Sequence, residues 1–527
     1  MKTQSTFVMS QAVRDAYTRG EEDETLEPHV MTDKSGQPLG RIAEGNSVIF
    51  YNIRGEREVE LTESFTRDSF DNFPITRNLN LNFTTMIKYT DGLDVNVAFP
   101  PDEKIQNTLG EVLAQHERTQ VKITEAEKAI HLGFFFNGKD PRLLKGEERI
   151  VVPTRKDVAL FDEAPEMSID KITKEITEKI HDSRHDVIIA NFPNVDVVGH
   201  IENREAIITA VETVDRNTGL VVKEALEKDV TVLITADHGT VEKWFYPDGA
   251  IDTGHTNSPV PFILIEKCNT MNLRNNGELS DIAPTVLQLL GIPKPTAMTG
   301  VSLIDNDLPS GITTQRRILL LILDGWGVNE SDEGNLIAAA GTPVMDELTK
   351  KYPVSLLQAA GEAVGLPEGT VGNSEVGHLH MGAGRRIYSD RVRINMAIED
   401  GSYFENRAFL KVIHAARNSV KALHLLGIVS FFSSHGSVNH LFALMELAKR
   451  EGAKELYIHA MLGRRGERPE SGAIYIEKIE KKCEELQLGK VVSVIGRYWS
   501  MDREENWDRI EKTYKMLVYG EGNHIPE

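Results

Sequence analysis

The sequence is poor in cysteine, in positive charge and in long apolar runs, and each shortage excludes something. Cys268 and Cys483 are the two cysteines among 527 residues. Two thiols cannot build a disulfide framework or a cysteine-based zinc site, and they suit a reducing, cytoplasmic setting. The formal net charge of −21 argues against a general nucleic-acid binder, whose footprint is basic, although a local arginine cluster can still hold an anionic ligand. The longest apolar run, residues 318–323, falls far short of the ~20 residues of a membrane-spanning helix. The opening stretch MKTQSTFVMSQAVRDAY lacks the apolar core, roughly 7–15 residues long, of a secretory signal. No membrane and no nucleic-acid partner are expected.

What is present reads as a soluble α/β protein. The length exceeds what one core supports, so two domains are expected. The spacing predicts helices over residues 10–17 and 108–116, and strands over 48–54, 84–89, 95–99 and 130–136. From Val187 the rhythm is clearer. A strand over 187–191 is followed by Ala206, Ile207, Ala210, Val211, Val214, Val221, Val222 and Ala225 at helical spacing, then by a strand over 230–234. That is a βαβ unit, hence a parallel sheet. A helix over 280–290 stops at Gly291 and Pro293. Residues 304–316 are a polar connector. Strands over 318–323, 422–429, 456–459 and 491–495 then alternate with helices over 440–450 and 471–486. No internal repeat is visible.

The chemistry-bearing residues cluster at strand exits. Asp237 and His238 follow the 230–234 strand directly, where the turning backbone lets both reach one cation. Alone, such a pair is ordinarily a solvated loop. Four other sites echo it. Asp196 and His200 follow a strand at i, i+4, which can place both on one face. His255 precedes a strand-like run, Asp324 ends the 318–323 strand before Gly325-Trp-Gly327, and Ser374 is a hydroxyl flanked by glycines. Three Asp, three His and one Ser form a two-metal inventory. A Ser hydroxyl becomes a competent nucleophile when a cation lowers its pKa, and a second cation can stabilise the charge of an in-line phosphoryl displacement.

Six stretches carry a family resemblance: Asp324-Gly-Trp-Gly, Gly361-Glu-Ala-Val-Gly-Leu-Pro-Glu-Gly, Gly372-Asn-Ser-Glu-Val-Gly-His378, Phe134-Phe-Phe-Asn-Gly, Thr235-Ala-Asp-His-Gly and Asp281-Ile-Ala-Pro-Thr-Val. Together they resemble the cofactor-independent phosphoglycerate mutases of the alkaline phosphatase superfamily. The resemblance implies two α/β domains, an alkaline-phosphatase-like metal domain and a phosphotransferase domain that binds substrate. It also implies that Ser374 takes the phosphoryl group, with Lys128 beside it. Asp324, Ser374, Asp237 and His238 match one metal site, and Asp196, His200 and His255 match the other. Two divalent cations are implied, manganese first, with magnesium, zinc or cobalt as alternatives. Arg54, Arg57, His435, Arg465, Arg497 and Arg503 match residues that grip a small phosphorylated anion; arginine suits this because its planar fork binds oxyanions bidentately.

The family order is rotated here, as in a circular permutation. The family's C-terminal portion occupies residues 1 to about 305, and its N-terminal portion about 316–527. The metal and nucleophile domain is therefore expected over 103–390, and the substrate domain over 391–527 plus 1–102. Two substrate loops depart from the family pattern. Ser430-Phe-Phe-Ser-Ser-His435 lacks the usual acid and glycine pair, and in Gly463-Arg-Arg465-Gly466-Glu467 glycines stand at both acid positions. Glu467 is the alternative acid after a register shift. The expected activity is interconversion of 3- and 2-phosphoglycerate by a cytoplasmic monomer. The altered loops keep two rivals in view. One is transfer of a phosphoryl or phosphonate-type group to another small acceptor, or to water. The other is a silent binding subunit.

Overall fold

The computed structural model describes residues 7–67, 69–101, 104–268, 271–305, 316–430, 433–463 and 471–527. The chain divides into two compact units, one formed by Met1–Pro101 with Arg393–Glu527 and the other by Asp102–Val392. In chain order the first unit contributes β1 (His29–Thr32), β2 (Ser47–Phe50), β3 (Asn82–Ile87) and β4 (Asn96–Phe99). The second contributes β5 (Gln120–Glu125), β6 (Glu147–Val152), β7 (Val187–Phe192), β8 (Val230–Thr235), β9 (Val260–Ile265), β10 (Asn276–Glu278), β11 (Arg317–Leu323) and β12 (Val354–Gln358). The first unit then adds β13 (Leu423–Ile428), β14 (Leu456–Leu462), β15 (Lys490–Gly496) and β16 (Asn523–Pro526). The connector expected over 304–316 falls largely outside the described residues.

Each unit is built on an eight-stranded sheet. In the second unit the order is β10-β12-β9-β8-β11-β7-β5-β6, parallel except where β9 runs against β8 and β12. The unit β7–helix–β8 has the expected parallel sense, but its two strands are not neighbours: β11, from later in the chain, lies between them. All six residues of β7 and of β8 are buried, which explains the near-continuous apolar runs; a parallel sheet is covered on both faces. The covering helix Arg204–Glu227 begins at Asn203, whose side chain accepts from the Ala206 amide at 3.3 Å, and buries Ile207, Ala210, Val211 and Val214 along one stripe. Among the described residues no helix is long and apolar enough to cross a membrane.

One expected strand is wrong. Residues 130–136 contain a single turn of π-helix, His131–Phe135. Leu132 and Phe136 are buried while Ile130 is 55% exposed, a four-residue spacing that belongs to a helix. A short apolar run cannot be assigned by periodicity alone. Here the ring of His131 packs on Phe135 and on His378, which gives the turn its tertiary support.

The first unit orders its strands β16-β1-β15-β14-β13-β2-β3-β4. A chain of buried polar groups crosses its centre. His424 on β13 approaches Asn46 Oδ1 with Nε2 (3.1 Å) and His459 Nε2 on β14 with Nδ1 (2.9 Å), and His459 Nδ1 meets Ser493 Oγ on β15 at 2.7 Å. The amide oxygen can only accept, so His424 donates from Nε2, His459 donates from Nε2 to His424, and Ser493 donates to His459. Every ring nitrogen is satisfied in the neutral form. Burial accordingly lowers His459 to about 3, and burial with His459 as neighbour holds His424 well below its ordinary value.

Both groups bind a proton more weakly folded than unfolded. The stability they contribute is complete above the unfolded value of 6.5 and is lost as the pH falls from there towards about 3. Each should add a slope of about 1.4 kcal/mol per pH unit within that window. Urea unfolding between pH 7 and pH 5 should show a His459→Gln variant with a pH slope shallower by about one proton. An unchanged slope would mean that His459 already carries its proton in the fold.

Candidate metal centre

Four neighbouring strands, β8, β11, β7 and β5, deliver their carboxyl ends to one place. Register fixes the convergence: Ile322 lies opposite Thr235 and Leu323 opposite Phe192, so the residues that follow emerge side by side. Asp324 follows β11, and Asp237 and His238 follow β8. Asp196 sits on the short helix Asn194–Gly199 after β7, with His200 at its end, and Lys128 closes the turn after β5. Asp324, Asp237 and His238 are fully buried, and Asp196 and Lys128 nearly so. Gly325 has a φ of 82°, and a Cβ there would lie 2.8 Å from the Asp196 amide nitrogen, so this position requires glycine twice over. Ser374 is the first residue of the helix Ser374–Ala383, capped by Asn373, whose side chain accepts from the Val376 amide at 3.1 Å.

Lys128 Nζ lies 2.6 Å from Asp196 Oδ2, 2.9 Å from Asp324 Oδ1 and 2.6 Å from Ser374 Oγ. Ser374 Oγ is also 3.0 Å from His238 Nε2 and donates to Asp324 Oδ1 at 3.3 Å. His255 Nε2 is 3.1 Å from Asp196 Oδ1, and His200 Nε2 is 3.3 Å from the same oxygen. Two groups of donors suited to a cation result: Asp237, His238 and Asp324 in one, Asp196, His238 and His255 in the other. The partition differs from the expected one in two respects, the first being that His200 is not in the second group. The second is that His238 reaches both groups, 3.5 Å from Asp196 Oδ1 and 3.5 Å from Asp324 Oδ1.

The donor chemistry fits a divalent cation. His200 Nδ1 is 2.7 Å from the Thr253 carbonyl and His255 Nδ1 is 2.9 Å from that of Gly372. Carbonyls only accept, so both rings carry a proton on Nδ1 and, when neutral, turn bare Nε2 lone pairs inward; Asp196 beside them raises the pKa of both rings. Those two Nε2 atoms are 3.1 Å apart, an arrangement that repels unless positive charge lies against both. Asp196 Oδ1 and Asp237 Oδ2 are buried without a hydrogen-bond partner. Three carboxylates thus face one ammonium in a nearly dry site. Burial alone would raise Asp196 and Asp237, but Lys128 and the surrounding imidazoles outweigh it and hold both below the carboxylate range. Asp324 is pushed up by burial and by Asp237 beside it, and Lys128 is held above its ordinary value by the three acids despite burial.

Two residues support this cluster without having been singled out from the sequence. Asn191, on β7, donates from Nδ2 to Asp324 Oδ2 at 2.7 Å and lies 3.2 Å from His378 Nε2. His378 Nδ1 is 2.9 Å from the Ser374 carbonyl and 3.3 Å from Asp237 Oδ2. The i, i+4 spacing of Ser374 and His378 was the available signal. A cavity of about 660 Å³ lies elsewhere in this unit, beside β10 and β12. Its Arg274 and Arg386 are tied to Asp281 and Glu278, so it is an internally paired surface.

The remaining expected residues belong to the first unit. Glu56 accepts from Arg54 (Nε 2.9 Å, Nη2 2.7 Å) and from Arg503 Nη1 (2.8 Å), and both guanidinium groups are half-exposed. Arg57 Nη1 donates to the Met501 carbonyl at 3.1 Å, and Arg497 Nε is 3.4 Å from Glu24 Oε1. His435 is buried against Glu58. Arg465, Gly466 and Glu467 lie outside the described residues.

The Lys128 ammonium is the only cationic side chain bonded to this carboxylate cluster among the described residues. Lys128→Met should therefore cost the metal-free protein roughly 3–5 kcal/mol, the penalty for stranding buried charge. A divalent cation should restore most of it. Thermal unfolding in EDTA and in manganese chloride compares the two. An equal loss in both would exclude cation binding at this cluster.

Comparison with known proteins agrees with this geometry. A family model described as the metalloenzyme superfamily matches residues 27–294, just over half of the chain, and one described as the N-terminus of BPG-independent PGAM (iPGM_N) matches residues 394–527. The 2,3-bisphosphoglycerate-independent phosphoglycerate mutase 2 of Methanosarcina acetivorans is 42% identical over 297 residues, 56% of either chain. The enzyme named 2,3-bisphosphoglycerate-independent phosphoglycerate mutase from Clostridium botulinum is 43% identical over 291 residues, 55% of this chain and 56% of its own. The match thus spans little more than half the length of these relatives. A Leishmania mexicana phosphoglycerate mutase crystallised at low cobalt concentration aligns at 27% identity with a TM-score of 0.37, covering 52% of this chain and 53% of that one. With its buried Asp and His donors gathered at the strand ends, the chain belongs to the metalloenzyme superfamily.

Proposed function

We propose that this chain interconverts 3- and 2-phosphoglycerate through a phosphoserine at Ser374, using two divalent cations, manganese first. The observation that carries the reading is the surroundings of Ser374 Oγ. It lies within 3.0 Å of both the Lys128 ammonium and His238 Nε2, at the amino end of a ten-residue helix. Helix amino ends favour negative charge, so a phosphoryl group on Oγ is stabilised there by the helix and by the ammonium. Asp237, His238 and Asp324, with Ser374, would hold one cation, and Asp196, His200 and His255 the other. Bound there, they supply Lewis-acid stabilisation of the phosphoryl oxygens and lower the pKa of the serine hydroxyl.

In this reading Oγ forms a bond to phosphorus as the ester oxygen of the substrate leaves. Lys128 offsets charge on the transferred group. The phosphoryl group then returns to the other hydroxyl of glycerate, freeing Oγ. Arg54, Arg57, Arg465, Arg497 and Arg503 would bind the carboxylate and phosphate of a small anionic substrate, with His435 beside them. Residues 103–390 would form the metal and nucleophile domain, and 391–527 with 1–102 the substrate domain. A circular permutation is supported by model order: the one described as an N-terminus matches residues 394–527, after the metalloenzyme match at 27–294. A cytoplasmic monomer is consistent with the low cysteine content and the acidic charge.

Incubation of the manganese-loaded protein with 3-phosphoglycerate should yield 2-phosphoglycerate. Ser374→Ala should lower the rate by roughly 10³-fold or more, as loss of a nucleophile does. Free phosphate and glycerate in place of 2-phosphoglycerate would replace the mutase reading with hydrolysis.

A further inference from the structure

Glu58 is fully buried in the first unit, and burying a carboxylate is expensive unless its oxygens are well served. Three donors serve it. Asn52 Nδ2 donates to Oε1 at 2.7 Å, the Arg57 amide donates to Oε2 at 3.0 Å, and His435 Nδ1 lies 3.0 Å from Oε1. The carboxylate can only accept when ionised, so His435 carries a proton on Nδ1.

Nothing in this arrangement is loose. Asn52 is itself fully buried and its Oδ1 accepts from the Ile428 amide at 2.8 Å, which sets the direction of Nδ2. The His435 amide donates to Ser433 Oγ at 3.2 Å, and the His435 carbonyl accepts from the Ile53 amide at 2.7 Å. Main chain and ring of this residue are thus both held. No described residue hydrogen-bonds to Nε2. A buried acid that fixes an imidazole and leaves one lone pair outward is an arrangement for making the ring a strong acceptor.

We propose that Glu58 is a positioning residue that locks His435 with its Nε2 lone pair outward, to accept a hydrogen bond from the hydroxyl of a phosphoglycerate. This rests on the substrate reading given above. It assigns the hydroxyl, as distinct from the carboxylate and phosphate, to one side chain. The arginines carry no acceptor and cannot serve a hydroxyl in this way. With glycines at positions 463 and 466, those positions offer no side-chain acceptor either.

The test uses the full chain. Long-range ¹⁵N correlation spectra should place the His435 proton on Nδ1 in the native protein and show a mixture of the Nδ1 and Nε2 tautomers in Glu58→Met. Binding of 3-phosphoglycerate should weaken about tenfold in Glu58→Met and in His435→Ala, the worth of one hydrogen bond, and no further in the double variant. Binding of 3-phosphonooxypropionate, which lacks the hydroxyl, should be alike in all of them. Should Glu58→Met fail to fold, His435→Ala alone must still erase the preference for the hydroxylated ligand. Additive losses in the double variant, equal losses for both ligands, or an Nε2 proton in the native ring would overturn the proposal. A native protein that binds neither ligand while keeping the Nδ1 proton would instead overturn the substrate reading, and the hydroxyl assignment with it.

Discussion

The second unit depends on a charge imbalance. Asp196, Asp237 and Asp324 are gathered in a buried place, and among the described residues Lys128 is the one lysine or arginine bonded to them. Such a cluster cannot be a stabilising device, because removing acids would improve the fold. Further positive charge bound there would offset the excess, and the histidine rings beside Asp196 offer donors for it. Their Nδ1 protons are committed to the Thr253 and Gly372 carbonyls, so two lone pairs are left face to face. Stability has been given up for a site.

The sheet explains why these residues meet although they are far apart in the chain. β11 lies between β7 and β8, so Asp324 emerges flanked by the segments bearing Asp196 and Asp237. A parallel sheet aligns its carboxyl ends, and ligand sites form there. The close approach is exacting at Gly325, where a side chain would strike the Asp196 backbone. Sequence order matters little to such a site, which needs the strands in their spatial order only.

Much of this was legible. The apolar runs of β7, β8 and β11, and the residues that follow them, stand out because a doubly covered strand must be continuously apolar. Other elements were hidden for physical reasons. Residues 130–136, which hold the turn His131–Phe135, carry five apolar residues in seven, a density that suits strand and helix alike; packing on His378 decides it. β5 has no counterpart among the expected strands although its pattern is strand-like. Its sequence, Gln-Val-Lys-Ile-Thr-Glu, alternates as a half-exposed strand would, yet every residue is buried. Lys122 is buried there by pairing with Glu147 at 3.1 Å, a partner that no local pattern reveals. In the site, the donors were readable by type and position. The sharing of His238 between two groups was not, because it depends on the angle at which β8 ends.

The two units handle histidine by one rule with different partners. In the second, Nδ1 protons go to neutral carbonyls, which leave each ring a neutral ligand whose Nε2 suits a cation. In the first, the partner of His435 Nδ1 is the Glu58 carboxylate. His424 and His459 mark the third case. Their nitrogens are spent on one another, on Asn46 and on Ser493, so nothing is left to offer a ligand.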